Sequence, residues 1–310
     1  MFKRIMLGAA KKLKFLPADT YAKIHYEYYT GKRLDLANPK EFNEKIQWIK
    51  TYYRPPILNK LVDKYAVRDY VEKTIGKEYL NDCLGVYNKV SEIDFNALPD
   101  QFVLKGVHGC NYNLIVKDKK RLNIPKAKLK IHKWLNQNYY YKSGQEWAYK
   151  DIKPRIICEK YLCELNNDSL NDYKLYCFNG KVKLIQVDLD RYNNFTRAFY
   201  DVEWNKQPFT KGTHCTPLDK SIEKPKALAK MIQLAEKLGK NFPFVRIDMY
   251  ALEEKIIFGE MTFYPGDGRI EFSPDSYNKK IGDWIEIPEL IGGQTCIKKV
   301  KNQKEIQYSI

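Results

Sequence analysis

Two carboxylate side chains lie on neighbouring strand-like segments in the last quarter of the sequence. Asp248 belongs to "FVRIDMYAL" and Glu260 to "FGEMTFYPGDG", and both segments are rich in residues that strands favour. The stretch between them can turn the chain back on itself. With a three-residue loop, 253–255, Asp248 faces Glu260 and Arg246 faces Thr262 across an antiparallel hairpin. A loop one residue different would put the carboxylates on opposite faces.

Like charges directly opposite each other, about 5 Å apart at Cβ, destabilise a sheet, so the predicted pair needs compensation. A divalent cation would reverse the interaction, since carboxylate oxygens are natural Mg²⁺ ligands. Alternatively, each carboxylate lies on a solvated face and is neutralised by a neighbouring Lys or Arg. The spacing therefore predicts either a metal site at Asp248 and Glu260 or two separate ion pairs.

The composition describes a folded chain with a strong positive charge. Hydrophobic residues make up 44% and aromatic residues 14% of the 310 residues, which excludes a disordered chain. The net charge of +16 suggests an anionic partner: a nucleotide, an acidic polysaccharide, a membrane surface or a nucleic acid. Lysine-rich codon usage in an AT-rich genome is an alternative explanation.

Targeting segments and disulfides are not expected. No stretch approaches the roughly 18 apolar residues of a membrane span, and the apolar stretch 5–10 is shorter than the core of about 7–15 residues in a signal peptide. Seven scattered cysteines without CxxC pairs fit reduced thiols, so we expect a cytoplasmic protein. The basic N-terminal helix either packs on the protein's own core or touches an anionic bilayer from the inner face.

The order of the elements predicts an α+β fold in three parts. Residues 1–82 read as helices, and 83–155 as a small β lobe with a lysine-rich helix. Residues 156–310 read as a larger antiparallel sheet flanked by helices. Within it, Asn179-Gly180 is a hairpin-turn signature.

Two further segments carry groups suited to a phosphorylated ligand. "FVLKGVHGCNYNLIVKDK" lacks the GK[ST] of a Walker A loop, but its hairpin could cover phosphates with backbone N–H groups while Lys105 supplies a charge. Lys174 and Arg191 lie on adjacent predicted strands with Arg197 just beyond, and such cations suit a polyphosphate or an acyl-phosphate transition state. An ordinary β-turn with a solvated lysine is the alternative for the first segment.

Two other patterns are less specific. "CEKYL" ends an apolar strand, where the Glu159 carbonyl and the Leu162 N–H could meet an adenine edge, or it is a plain buried strand. "DLD" at Asp188 to Asp190 matches the DxD pattern of metal-dependent glycosyltransferases, which is common by chance. The four histidines lack metal-ligand spacing, and only His108 lies in a candidate loop.

In chain order, these motifs resemble those of ATP-grasp enzymes. More closely, "NPKEFNEKIQWIK", "DKYAVRDYV", "LPDQFVLKGVHGCNYNLIVKD", "DYKLYCFNGK" and "FGEMTFYPG" resemble the TupA-type ATP-grasp family of bacterial surface-polysaccharide gene clusters. The resemblance covers about residues 35–290. It implies an ATP-grasp-like α+β fold in which 83–155 is a lid lobe with a phosphate loop and 156–310 is the core with a metal-binding hairpin.

The resemblance also implies roles for individual residues. Lys174 would reach the phosphates of ATP, and the carboxylate substrate with its acyl phosphate would be bound by Arg191, Arg197 and Arg246. Mg²⁺ would be held by Asp248 and Glu260, with Thr262 where many ATP-grasp enzymes have Asn. The residues implied to bind the nucleotide are Lys105, His108, Gly109, Asn113, Lys117, Glu159, Lys160, Tyr161 and Leu162. Cys110 and Tyr112 replace the small loop residues expected there.

The implied reaction is carboxylate–amine ligation. ATP phosphorylates a carboxylate with the help of Mg²⁺, and an amine attacks the acyl phosphate to give an amide, ADP and phosphate. The carboxylate would be a uronic acid or an amino acid, and the product an amide-decorated glycan precursor. The alternatives are a DxD glycosyltransferase, an ATP-dependent sugar or lipid kinase of the same fold, and a non-catalytic module for polyanions, with nucleic acid not expected as a partner.

Overall fold

The computed structural model describes residues 2–162, 171–189, 195–212, 216–217, 221–252, 255–291 and 294–297. Asp190 and Arg191 lie outside these ranges. The α-helices of the described part are α1 (Phe2–Ala10), α2 (Ala18–Thr30), α3 (Phe42–Tyr52), α4 (Ile57–Val62), α5 (Val67–Thr74), α6 (Ile124–Leu135), α7 (Tyr139–Lys142), α8 (Leu228–Gly239) and α9 (Ser276–Gly282). Its strands are β1 (Cys83–Tyr87), β2 (Phe102–Gly106), β3 (Asn113–Val116), β4 (Ile156–Lys160), β5 (Asp172–Phe178), β6 (Lys181–Leu189), β7 (Thr196–Tyr200), β8 (Thr210–Lys211), β9 (Thr216–Pro217), β10 (Phe244–Leu252), β11 (Lys255–Thr262), β12 (Phe272–Ser273), β13 (Leu290–Ile291) and β14 (Gln294–Ile297).

A four-stranded antiparallel sheet in the order β1-β4-β2-β3 forms the smaller layer. Helix α6 covers it and starts at a clear signal, since the Asn123 side chain accepts from the Lys126 N–H at 3.0 Å and a proline follows in the first turn. Ile131 and Trp134 of this helix join the apolar cluster beneath the sheet. Strand β4 belongs to this sheet, although the predicted boundary at 155 assigned it to the following part.

The larger sheet has the order β11-β10-β5-β6-β7-β9 and is antiparallel except for the β7–β9 pair. The predicted turn between β5 and β6 is confirmed: Asn179 and Gly180 have φ angles of 49° and 79°, the left-handed values that a type I′ turn requires. Helix α8 packs on the sheet through side chains at helical spacing, among them Met231, Leu234 and Leu238.

The N-terminal helices share a hydrophobic core with the larger sheet. Phe42 of α3 is fully buried, with its ring centroid 5.2 Å from that of Phe244 and 6.4 Å from that of Tyr176. Ile46 and Ile49 lie in the same cluster. Burial of each such side chain contributes about 1.5–3 kcal/mol, so the helices are held by the sheet they cover. The three-part division of the chain stays a prediction.

Helices and antiparallel sheets occur together, which confirms the α+β class. Within the described ranges, no helix has both the length and the apolar character that crossing a bilayer requires.

The β10–β11 hairpin reaches the predicted pairing by an unexpected route. Leu252 pairs with Lys255, so two residues separate the strands at the tip where three were predicted. This register alone would place Asp248 opposite Gly259. A β-bulge at that glycine shifts the ladder by one residue, so that Asp248 pairs with Glu260. The predicted loop length is wrong, and the predicted carboxylate pairing is confirmed.

Gly259→Ala is expected to lower the free energy of unfolding by about 1–3 kcal/mol, the usual cost of overpacking. A Cβ at this position would lie 3.0 Å from the Asp248 carbonyl oxygen, a backbone atom fixed by the neighbouring strand. Urea denaturation measures the loss. Gly8→Ala is the control, because its Cβ would meet only the Tyr28 ring edge at 3.3 Å and Ala favours helix; equal losses in the two variants would contradict the prediction.

Candidate functional site

Asp248 is buried on β10, between β11 and β5 of the larger sheet, and both of its carboxylate oxygens accept hydrogen bonds from cationic side chains. Arg246 donates from Nε to Oδ1 and from Nη2 to Oδ2, each at 2.6 Å. Lys174 is the register partner of Asp248 on β5, and its Nζ lies 2.8 Å from Oδ2. This forked arginine contact is the strong, geometrically defined kind of ion pair.

Lys174 binds a second carboxylate as well. Asp172 lies two residues away on β5, hence on the same face, and accepts from the Lys174 ammonium. Burial would lower the pKa of Arg246, but the adjacent Asp248 outweighs it and raises the pKa well above its usual value. Burial raises the pKa of Asp248, with Arg246 and Lys174 opposing that shift. Charge neutrality within the buried group is what makes it tolerable.

Glu260 is the open member of the pair, with 34% of its side chain exposed. Its oxygens lie 3.5 Å from Arg246 Nη2 and 3.7 Å from Lys64 Nζ, longer than the contacts of Asp248. Thr262 receives a hydrogen bond from Arg246 at 3.1 Å, and its hydroxyl lies 3.4 Å from Glu260. Neighbouring cations therefore neutralise both carboxylates in this structure.

The oxygen donors at this end of the hairpin also fit a hard cation. Asp248, Glu260 and Thr262 offer two carboxylates and a hydroxyl, the ligand type that Mg²⁺ prefers. To turn toward a metal, Glu260 would give up its long contacts with Arg246 and Lys64, whereas Asp248 would have to release Arg246 or Lys174. In the described part of the chain, no three His, Cys, Asp or Glu side chains form a metal-binding group, so water or phosphate oxygens would complete the coordination.

Lys64 joins the predicted phosphate loop to the carboxylate pair. Its Nζ donates to the Gly109 carbonyl at 2.8 Å and lies 3.7 Å from Glu260 Oε2. Lys64 thus connects the 107–112 loop with β11. The sequence motifs did not indicate Lys64, because it follows a short helix of the N-terminal region and lies far along the chain from Gly109 and Glu260.

Arg197 is held by a carboxylate of the neighbouring strand. Its Nε and Nη2 donate to the two oxygens of Asp188, at 2.7 and 3.2 Å, and Gln186 donates to Asp188 at 2.9 Å. Burial would raise the pKa of Asp188, but Arg197 outweighs it and lowers the pKa. Asp188 is thus buried and engaged by Arg197, and Asp190, the second carboxylate of the DxD pattern, lies outside the described residues.

The sequence matches the family described as "TupA-like ATPgrasp" over residues 44–286, most of its length. The chain belongs to the TupA-like ATP-grasp family. This membership confirms the family resemblance and, together with the observed sheets and helices, the ATP-grasp-like α+β fold.

Solved structures similar to this TupA-like chain are distant. The D-alanine–D-alanine ligases of Bacillus anthracis and Helicobacter pylori are 15% and 17% identical to it, with TM-scores of 0.39 and 0.37; 71% and 74% of this chain cover 59% and 61% of those chains. D-cycloserine synthetase DcsG is 13% identical, with a TM-score of 0.38 and coverage of 67% and 64%. The chain spans about three fifths of the length of the two D-alanine–D-alanine ligases. No curated protein matches the sequence.

Two residues predicted to bind the nucleotide are paired with each other in the four-stranded sheet of this TupA-like chain. Lys105 Nζ of β2 lies 2.6 Å from Glu159 Oε2 of β4. Strand β4 is internal, with β1 and β2 on its two sides, so Glu159 lies within the ladder. Lys160 is exposed at the end of the strand, and the half-buried Tyr161 and Leu162 follow it. Their proposed contacts with adenine stay a prediction.

His108 occupies a different environment from a phosphate-contacting lid residue. Its ring is buried, and Nε2 lies 2.9 Å from the Trp134 carbonyl at the end of α6. Burial lowers the pKa of His108, which favours the neutral ring. Its observed contact therefore fastens the loop to α6. Asn113, exposed at the start of β3, and Lys117, exposed just after it, lie on the other arm of this hairpin, and their roles stay predictions.

A second buried polar cluster follows directly after the β10–β11 hairpin, and the sequence motifs did not indicate it. Asp267 lies 2.7 Å from Lys50 Nζ, 3.0 Å from Arg269 Nε and 3.5 Å from His25 Nδ1. Burial would raise the pKa of Asp267, but the interactions with Lys50, His25 and Arg269 together outweigh it and lower the pKa. Glu146 is buried beside this cluster, and burial together with Asp267 raises its pKa well above the usual range. The position of Asp267 between two glycines in "YPGDG" was an available sequence signal. No residue near Glu146 in the sequence gives a comparable signal.

His25 makes the stability of the fold depend on pH. Burial lowers its pKa to about 3, against 6.5 for a free histidine, with Asp267 opposing the shift. The unfolded chain therefore binds one proton more between these values, so this stability is complete above pH 6.5 and is lost as the pH falls toward 3. His25→Phe should reduce the slope of unfolding free energy against pH by up to about 1.4 kcal/mol per unit below pH 6.5. Urea titrations at pH 7, 6 and 5 measure it, with His132→Phe on the exposed face of α6 as control; an unchanged slope would contradict the assignment.

Proposed function

We propose that this protein is an ATP-dependent carboxylate–amine ligase that works through an acyl phosphate. Family membership supports ATP as the substrate. The observation that carries the proposal is the carboxylate pair Asp248 and Glu260, in contact with Lys174 and Arg246 and joined to the 107–112 loop through Lys64. Oxygen ligands for a metal and cations for phosphates are then adjacent, which is what phosphoryl transfer requires.

The charges of the group suggest how it would receive the nucleotide. Three carboxylates, Asp172, Asp248 and Glu260, are matched by the cations of Lys64, Lys174 and Arg246. When bound, Mg²⁺ would neutralise negative charge on the phosphates. Carboxylates would then turn toward the metal and cations toward phosphate oxygens, an exchange of partners that leaves no buried charge unpaired. Because sheet strands hold Lys174 and Arg246, little reorganisation would be needed during the reaction.

The reaction itself would proceed in two balanced steps. A carboxylate oxygen of the substrate attacks the γ-phosphorus of ATP, and ADP leaves. The amine then attacks the acyl carbon, the C–O bond to phosphate breaks, and the amine loses a proton as the amide forms. Arg246, with Arg191 and Arg197, is proposed to hold the carboxylate. Closure of the 107–112 loop, fastened to Lys64 through Gly109, would keep water from the acyl phosphate.

The finer parts of the proposal concern substrate and location. We propose a uronic acid or an amino acid as the carboxylate and a surface-polysaccharide precursor as the molecule modified. The proposed location is the cytoplasm, where ATP is available. Contact with the inner face of the membrane would involve a different surface, at the N-terminus, and not the nucleotide site.

The test is thermal unfolding with ATP in the presence and absence of Mg²⁺, followed by ADP release with carboxylate and amine mixtures. We expect a Mg²⁺-dependent rise in Tm that Asp248→Asn and Glu260→Gln both lose. ADP release that needs both a carboxylate and an amine would support the ligase. ADP release with a phosphorylated sugar and no need for an amine would favour the kinase. A Tm rise with a nucleotide sugar and none with ATP would refute the proposal.

A further inference from the structure

The first sixteen residues carry apolar side chains that the rest of the protein does not cover. Helix α1 packs on α2, where Gly8 meets Tyr28. Four side chains of this segment remain exposed: Ile5 63%, Met6 58%, Leu13 41% and Phe15 81%. Scattered exposed hydrophobic residues are ordinary, but four within eleven positions of one segment form a group that water contacts unfavourably.

Cations surround this group, and acidic side chains are absent from residues 1–16 of the sequence. The five cations of the segment are Lys3, Arg4, Lys11, Lys12 and Lys14. Lys3 makes an ion pair with Glu27 at 2.5 Å, and Lys11 Nζ lies 3.7 Å from the centroid of the Tyr28 ring. These two contacts hold the cationic groups of Lys3 and Lys11 against α2. The segment thus exposes apolar side chains with lysine and arginine side chains beside them, and these five cations form its basic margin.

The segment is also fixed to the body of the protein. Gln145 Nε2 donates to the Lys14 carbonyl at 2.9 Å, and the Lys14 side chain donates to the hydroxyl of Tyr21, which is fully buried. The exposed apolar side chains therefore belong to an ordered surface. A surface held in place loses less conformational entropy on binding than a flexible tail would.

We propose that this N-terminal surface (residues 3–15) binds the face of a lipid bilayer that carries anionic headgroups. Ile5, Met6, Leu13 and Phe15 would enter the interface, and the basic margin would contact lipid phosphates. A nucleic acid would use the cations but leave aliphatic side chains in water, and a neutral apolar partner would leave the cations unpaired. An anionic bilayer would contact the apolar side chains and the cations together. The proposal is independent of the reaction at the nucleotide site.

The experiment is co-sedimentation of the full chain with phosphatidylcholine vesicles, with and without phosphatidylglycerol. We expect binding only to the anionic vesicles, weakened by added salt. Leu13→Ser/Phe15→Ser should reduce the affinity about tenfold or more, since apolar insertion supplies a large share of interfacial binding. Lys12→Glu should also weaken it, because it places a negative charge against anionic headgroups.

The matched control is Leu129→Ser. Leu129 is 56% exposed on α6, and the lysines 126, 128, 130 and 133 lie on the same helix, so it tests whether any exposed leucine in basic surroundings suffices. Equal loss in this control, equal binding to uncharged vesicles, or no vesicle binding while a short DNA duplex binds would each overturn the proposal. Each variant's Tm rise with Mg-ATP should match that of the wild type, which separates this surface from the nucleotide site.

Discussion

Lys174→Met is expected to lower the free energy of unfolding at pH 7 by about 3–5 kcal/mol, the cost of removing one partner from a buried ion pair. The ammonium is buried and contacts Asp172 and Asp248 together. Methionine fills a similar volume, so packing changes little. What remains is two buried carboxylates that have lost the cation they shared.

Denaturation in urea at pH 7 and pH 5 tests this result. The loss should shrink at pH 5, because burial raises the pKa of Asp248, Lys174 no longer opposes that shift, and protonation of Asp248 removes negative charge from the group. Asp172→Asn added to Lys174→Met should restore part of the stability for the same reason. Lys181→Met is the control: Lys181 pairs with Glu236 at 2.8 Å on the surface, with 71% of its side chain exposed, and such pairs are worth about 0–1 kcal/mol. Losses of similar size at both lysines would contradict the account.

Glu260→Gln is expected to lower ADP formation by about 10²–10³-fold, the usual effect of removing one preorganised electrostatic contact from a reaction centre. The change removes a charge that would hold the metal while keeping the shape of the side chain. Because Glu260 is partly exposed and its ion pairs with Arg246 and Lys64 are long, the fold should lose about 1 kcal/mol or less. A large loss of turnover with an intact fold distinguishes a functional carboxylate from a structural one.

Two measurements apply to this variant. The first is the Mg²⁺-dependent part of the Tm rise with ATP, which should disappear; the second is ADP release in the mixtures that support turnover by the wild type. Glu236→Gln is matched in chemistry and in its ion pair with a lysine, but it lies on the surface away from the hairpin. It should behave as the wild type in both. A Glu260→Gln protein that retains the metal-dependent rise would remove this residue from the metal site.

The sequence was most informative where structure depends on neighbouring residues. The Asn179-Gly180 turn needed only two residues that tolerate positive φ. The pairing of Asp248 with Glu260 was predicted correctly through two errors that cancel, since the loop is shorter and the strand carries a bulge. The glycine at position 259 was itself an indication, because glycine inside a strand often marks a bulge.

Features that depend on distant parts of the chain could not be predicted. Lys64 contacts Gly109 and Glu260 only because the N-terminal helices pack on the larger sheet. The same packing buries Asp267 beside Lys50, more than 200 positions earlier in the chain. His108 looked like a loop residue free to meet phosphate, and its burial under α6 depends on tertiary contacts that periodicity does not encode.

The bulge at Gly259 separates the strand register at the tip of the hairpin from the register at the carboxylate pair. A two-residue loop with the bulge and a three-residue loop without it both leave Asp248 opposite Glu260. The tip could therefore slip by one residue, with 249–252 sliding against 255–258, while every pair beyond the glycine stayed in place. Register heterogeneity would be confined to the outer end of the hairpin, and the two carboxylates would keep a common face in either arrangement.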